Sequence, residues 1–260
     1  MRYPNIAVVA LLVAAPCLMH AQGRGGRGGP PPTAKSQAPF DLTGYWVSQI
    51  VDEWRFRVSP VKGDILYMPL NGDARKVAEA WDPDKDEASG NACKAYGAVG
   101  GMQRPGRLHF EWVDDNTLRL ELDAGKQTRM LHFGKAAEKL SAPSLQGYSV
   151  ASWEGPGFGR GGRGFGERAP SGPPKSGTLK VVTTDMAPGY LRKNGVPYSD
   201  KAVLTEYINF LTGERNDTYI TVTAYVEDPV YLTGPFARTY DFKRDADGGS
   251  HWDPTPCWTK

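Results

Sequence analysis

Side chains along residues 107–122 switch between apolar and polar at every step. Leu108, Phe110 and Trp112 alternate with His109 and Glu111; after a turn at Asp114, Asp115 and Asn116, Leu118, Leu120 and Leu122 alternate with Arg119, Glu121 and Asp123. Period two places successive side chains on opposite faces, which an extended strand does and a helix does not. The two runs therefore predict a hairpin with one apolar face. A second turn at 124–126 returns the chain through 127–133, extending the hairpin to a three-stranded antiparallel meander. Further strands are expected at 44–50, 54–58, 148–153, 178–184, 203–211, 219–226 and 236–243. So many short strands predict a mostly β fold, a single antiparallel β-barrel or sandwich. One short helix is expected at 73–81, capped near Asn71, stopped by Asp82-Pro83, with Val77 and Trp81 on one face.

The N-terminus and one internal stretch differ from this pattern. Arg2 precedes a short apolar run at residues 6–15, and residues 17–21 lead to the small Ala21, the arrangement of a secretory signal peptide spanning 1–21. The run is shorter than the roughly 18 to 20 residues of a membrane span. Pro16 stands where a lipobox before Cys17 would carry a small residue, so cleavage leaving Gln22 first is expected. A periplasmic or secreted protein with no membrane span follows. Gly and Pro concentrate at 22–39 and at 155–176, where apolar residues are too few to offset the entropy of ordering. These segments are expected as a disordered N-terminus and a flexible insertion in a barrel-like domain covering 40–260. Gly157, Gly159 and Gly162 fit G-x-G-x-x-G, yet Pro170, Pro173 and Pro174 forbid the helix that a dinucleotide fingerprint needs.

Composition excludes several function classes. The formal charge is +2, and removing the signal takes away only Arg2, leaving 2 − 1 = +1. No basic field for a nucleic-acid partner results. Signal removal discards Cys17 and leaves Cys93 and Cys257, which pair most economically as a disulfide in an exported chain. The remaining histidines, His109, His132 and His251, have no zinc-site spacing and neither Cys belongs to a CxxC, so no metal or other cofactor is called for. His109 and His132 sit opposite the apolar parity of their strands and are expected to meet solvent. No Ser occupies a G-x-S-x-G elbow.

Charges on the apolar parity are the sharper signal. Arg129 shares a face with Leu131 and Phe133, Glu206 with Leu204, Ile208 and Phe210, and Arg238 with Phe236, Tyr240 and Phe242. Such groups must pair, reach a rim or meet a ligand, because an isolated buried charge is costly. Either they form a structural ion pair, or two guanidinium forks and a carboxylate line a cavity for an anionic or polar-headed molecule. A second candidate is residues 188–199, PGYLRKNGVPYS, where Tyr190, Arg192, Lys193 and Tyr198 flank an Asn194-Gly195 turn on what reads as an exposed connection. It suits a mouth loop over a cavity or an Ω-loop packed on the barrel.

Two resemblances bear on these readings. Gly44-Tyr45-Trp46 resembles the G-x-W opening of lipocalins, which implies a Trp closing one barrel end. PGRLHFEW, the Asp-Ala-Gly of DAGKQTR, GYSVASWEG, GTLKVVTT, Thr205-Glu206-Tyr207 and EDPVYLTGPF resemble, in order, the motifs of an uncharacterised family of secreted bacterial proteins. The resemblance covers about residues 69–257 and implies export and β architecture without an activity. In that family the Ser-Val-x-x-Trp-Glu-Gly strand runs directly into Thr-Leu-x-Val, whereas here the glycine-rich insertion interrupts the junction.

The function expected from sequence is an exported barrel that binds a small molecule, with Arg129, Glu206, Arg238, Tyr190 and Tyr198 as candidate contacts. An alternative is a barrel isomerase, lyase or hydratase with Glu206 as acid or base and Arg129 or Arg238 stabilising negative charge. A third is an envelope component that binds another protein. A cavity lined by Glu206 and an Arg would favour the first two over the third.

Overall fold

The computed structural model describes residues 31–58, 60–134, 141–155 and 176–259. The signal-like segment, residues 22–30 of the Gly-rich N-terminus and residues 156–175 of the insertion lie outside the described residues. Nine strands form a closed barrel: β1 (Gly44–Gln49), β2 (Arg107–Trp112), β3 (Thr117–Leu122), β4 (Gln127–Phe133), β5 (Tyr148–Glu154), β6 (Thr178–Thr184), β9 (Val203–Thr212), β10 (Thr218–Glu227) and β11 (Phe236–Arg244). The two missing numbers are β7 (Gly189–Arg192) and β8 (Val196–Tyr198), a separate hairpin.

The meander pairs as its alternation requires, with Phe110 opposite Leu120 and Leu120 opposite Arg129, so apolar and polar faces match across strands. Leu118, Leu120 and Leu122 are buried, while Arg119 lies outside and pairs with Glu111. β4 and β5 pair in parallel, and the remaining barrel pairs are antiparallel. β1 closes the barrel between β11 and β2, so that each barrel strand is paired on both sides.

The strand directions give the barrel two unlike ends. Gly44, Trp112, Phe133, Glu154, Thr212 and Arg244 mark one end. Aromatic side chains fill it: Phe40 stacks on Phe210 at 5.3 Å and meets Trp153 edge-on at 5.5 Å. Trp46 is fully buried there, donates to the Leu42 carbonyl at 2.8 Å and lies under the Arg244 guanidinium.

Helices gather at the other end, between β1 and β2. The strand expected at 54–58 is instead a one-turn helix, α1 (Trp54–Arg57). Glu53 adopts a left-handed conformation (φ 48°), which turns the chain away from the line of β1 before Trp54. Trp54 is 66% exposed and Arg57 is buried, the reverse of the strand reading. α2 (Gly72–Ala80) is capped by the Asn71 side chain, which accepts from the Asp73 and Ala74 amides. Its buried face is Ala74 and Ala78 rather than Val77 and Trp81, since small side chains four residues apart let the helix approach β8 closely. Asp82-Pro83 ends α2 but opens a further helix, α3 (Pro83–Ala88), with Asp82 as cap and Pro83 at the first position.

Two 3-10 turns, Ala92–Tyr96 and Gly101–Gln103, complete this end. Cys93 in the first turn is disulfide-bonded to Cys257, 164 residues away. The bridge ties the C-terminal tail across the helical end, where Thr255 donates to the Asp123 carbonyl and Tyr96 to the Trp258 carbonyl.

Candidate functional site

The alternation that builds β4 and β9 also carries Arg129 and Glu206 into the barrel, each 2% exposed. They meet as a bidentate pair: Nη1 donates to Oε1 at 3.2 Å and Nη2 to Oε2 at 2.7 Å. Nη2 also donates to the Thr183 hydroxyl at 3.0 Å and the Ser149 hydroxyl at 3.3 Å, and those hydroxyls bond each other at 2.8 Å. Thr183 lies on β6 and Ser149 on β5, so four neighbouring strands contribute to one network. With both carboxylate oxygens engaged by the same guanidinium, the arrangement holds charge in place; it resembles a strut more than a group poised to move a proton.

Arg238 shares the inward parity of β11 but does not join this pair. Near the start of the strand, its side chain turns to the helical end, where Nε meets Glu53 Oε2 at 3.0 Å and the guanidinium lies 4.3 Å from the Phe236 ring. Around it stands a group of cations that the parity argument passes over. Arg57 of α1 donates Nε to the Gln103 carbonyl at 3.2 Å and Nη1 to the Gln49 carbonyl at 3.3 Å. Its closest carboxylate, Asp52, is 4.0 Å away and largely exposed. Arg192, at the end of β7, places its guanidinium 3.9 Å over the Phe56 ring and 5.7 Å from Phe236. Arg104 closes the second 3-10 turn.

Arg57, Arg104 and Arg192 are 2%, 6% and 1% exposed. Among the described residues, Nη2 of Arg57, Nε and Nη2 of Arg104, and Nη1 and Nη2 of Arg192 have no hydrogen-bond partner. Burial pushes Arg104 down to about 10, with repulsion from Arg57 and Arg192 in the same direction against attraction from Tyr96 and Tyr240. Burial also pushes Arg192 down to about 10, reinforced by Arg238. Arg57 is lowered for the same first reason, and the buried Tyr240 hydroxyl is raised by desolvation. At neutral pH the arginines remain cations. The aromatic faces of Phe56, Phe236 and Tyr240 offset part of their desolvation but supply no counter-charge.

Compared with known proteins, the chain matches no family model, no curated protein and no solved structure. Function must therefore be read from this geometry.

The 188–199 segment is not an exposed connection. It forms the β7–β8 hairpin, with Leu191, Arg192, Asn194, Val196 and Tyr198 buried. Gly195 takes a positive φ of 81° in the turn, and a Cβ there would strike the Trp81 ring. Asn194 donates to the Val61 and Asp64 carbonyls at 3.1 Å, which pins the hairpin tip to the chain following α1. Tyr190 donates to Asp86 at 2.6 Å, sharing that carboxylate with the Trp81 indole. Tyr198 is buried with its hydroxyl against Gly97 and Gly189, where a Cβ would intrude. The rings that meet Arg192 and Arg238 are those of Phe56 and Phe236 rather than of Tyr190 or Tyr198.

His109 and His132 point outward as their parity requires but are partly covered, while His251 is exposed. His109 stacks on Tyr45 at 4.2 Å and bonds Glu121 at 2.9 Å, and His132 stacks on Tyr148 at 5.1 Å. Desolvation lowers the His132 pKa against the pull of Asp114. Two open cavities lie at the aromatic end. One of about 850 Å³ is lined by Asp114, Asn116, Thr117, His132 and Phe133, and another of about 560 Å³ by Lys35, Phe40, Asp41 and Trp112. Neither is lined by Arg129, Glu206 or the helical-end arginines. Among the described residues no helix is long and apolar enough to cross a membrane.

Proposed function

We propose that this chain is an exported β-barrel that binds an anionic small molecule at its helical end. One observation carries the reading: Arg104 and Arg192 are buried together with four guanidinium nitrogens between them that have no partner among the described residues. A folded chain gains nothing from burying such donors empty, because each loses water without gaining a partner. The acidic groups that attract Arg192, Glu53 and Asp64, are already engaged by Arg238 and Arg55. A bound anion supplies the missing partner. Export is supported by the signal-like N-terminal sequence and by the Cys93–Cys257 bridge, which persists in an oxidising compartment.

Native mass spectrometry of the protein purified from its own host tests this reading. A retained anionic mass, released when Arg104 is replaced by Met, is the expected result. A bare polypeptide that no added anion stabilises would count against it. Sequencing of the exported form is expected to start at or near Gln22, and an intact Met1 in the periplasmic fraction would contradict export.

A further inference from the structure

Resting on that anion-binding reading, we propose that the group held among Arg57, Arg104 and Arg192 is a phosphoryl dianion, either inorganic phosphate or a phosphomonoester. The argument begins with charge. Arg238 is balanced by Glu53 at 3.0 Å, and Arg57 is partly balanced by the distant, exposed Asp52 at 4.0 Å. Arg104 and Arg192 form no ion pair among the described residues, and Arg104 feels both Arg57 and Arg192. The uncancelled charge at this end is therefore about two, which one dianion neutralises and one monocarboxylate does not.

The free donors also have a shape. Nε and Nη2 of Arg104 form one complete two-donor edge of a guanidinium, and Nη1 and Nη2 of Arg192 form another. Nη2 of Arg57 adds a single donor. Two forks and one further N–H suit an anion with three terminal oxygens, whereas a carboxylate has two and satisfies one fork. The surrounding rings of Phe56, Phe236 and Tyr240 exclude water, so these contacts act in a low-dielectric site.

Entry passes under α1. That helix supplies Arg57 and Phe56 to the inner side, while Trp54 and the flanking Val51 and Val58 are exposed on the outer side. Since Arg104 and Arg192 are nearly inaccessible, the anion enters when α1 lifts and holds α1 down once bound.

Calorimetric titration of the full exported chain tests the assignment. The probes are inorganic phosphate, glycerol 3-phosphate, succinate and acetate, with vesicles of phosphatidylcholine alone or containing phosphatidic acid. Phosphate or glycerol 3-phosphate is expected to bind at least tenfold tighter than acetate. Affinity is expected to fall below about pH 6, where the phosphomonoester loses its second charge while the arginines keep theirs. Arg104→Met and Arg192→Met should each weaken binding at least tenfold, with Arg104→Gln as a second variant should Met disturb folding. Amide exchange at 54–57 should slow on binding, which attachment at an outer surface would not cause. Binding to phosphatidic acid vesicles alone, lost in the same variants, supports the assignment and identifies the source as a lipid headgroup. Succinate binding at these arginines without phosphate binding overturns the phosphoryl assignment and leaves the anion reading standing. No response to any probe, from protein that also carries no retained mass, overturns both.

Discussion

Arg129 and Arg104 are buried almost equally, at 2% and 6% exposure, one inside the barrel and one at its helical end, yet their surroundings differ in kind. Arg129 meets Glu206 with two nitrogens and two hydroxyls besides, each placed by a strand register. Arg104 has a 3-10 turn behind it, other cations beside it and, among the described residues, no acid in contact. The first environment is balanced in charge within the polypeptide, with Nε the one nitrogen of Arg129 left buried without a partner among the described residues. The second leaves two nitrogens of Arg104 buried without a partner among the described residues, and no carboxylate to balance them. Burial of charge alone does not mark a site; the accounting of its partners does.

The largest effect expected from this contrast is at the complete pair. Arg129→Met or Glu206→Leu alone strands the other charge and should cost about 3 to 5 kcal/mol in urea unfolding. The double replacement should recover much of that loss, with a coupling of about 1 to 3 kcal/mol. Additive effects near zero would break the comparison at its better-defined side.

Removing the Cys93–Cys257 bridge should come next, at about 2 to 4 kcal/mol, because it frees a long loop in the unfolded chain. The contrast predicts where the loss appears first. Amide exchange should quicken around Tyr96, Thr255 and Trp258, which the bridge holds together, before it quickens in β4 and β9.

At the incomplete end the sign reverses. Arg104→Met or Arg192→Met removes an unpaired buried cation, so ligand-free stability should stay level or rise by up to about 1 kcal/mol. The folded pKa of each arginine lies below its unfolded value, at about 10. Burying the cation is therefore fully unfavourable below that pH, and the unfolded state binds more protons above it. The advantage of the Met variants should accordingly shrink as pH rises through about 10, a trend readable in parallel thermal melts. A loss of several kcal/mol at neutral pH would instead make these arginines structural.

The smallest effect is expected from excising residues 156–175. Glu154 and Thr178 already stand opposite each other, and a Cβ on Gly155 would come within 3.0 Å of the Gly177 Cα, so the ends are close enough to join by a short turn. The melting temperature should move little. A large fall would show that the excised residues contribute to the fold.

Much of the barrel was legible because its strands alternate cleanly. Leu118, Leu120 and Leu122 can point one way only if Arg119 and Glu121 point the other. The same parity identified Arg129 and Glu206 as interior charges. It failed at Trp54-Arg55-Phe56-Arg57, whose alternation fits a strand, because a left-handed Glu53 lies just upstream and local pattern carries no information about it. Arg238 was placed on the correct face but its position along the strand sends it to the barrel mouth. Arg104 and Arg192 lie in a turn and a short hairpin with too few residues to establish a period. The available signal was composition: arginines set among Leu191, Val196 and the Gly100-Gly101-Met102 run, where little else is polar enough to reach solvent.

The most direct test of the account is a set of melting temperatures with and without saturating inorganic phosphate. The set comprises the native chain, Arg104→Met, Arg192→Met, and the Arg129→Met, Glu206→Leu double variant. The account predicts that phosphate raises the melting temperature of the native chain and of the double variant by similar amounts, and leaves the two single variants unmoved. A phosphate shift that survives Arg104→Met and Arg192→Met but disappears in the double variant would contradict it, placing the site on the interior pair.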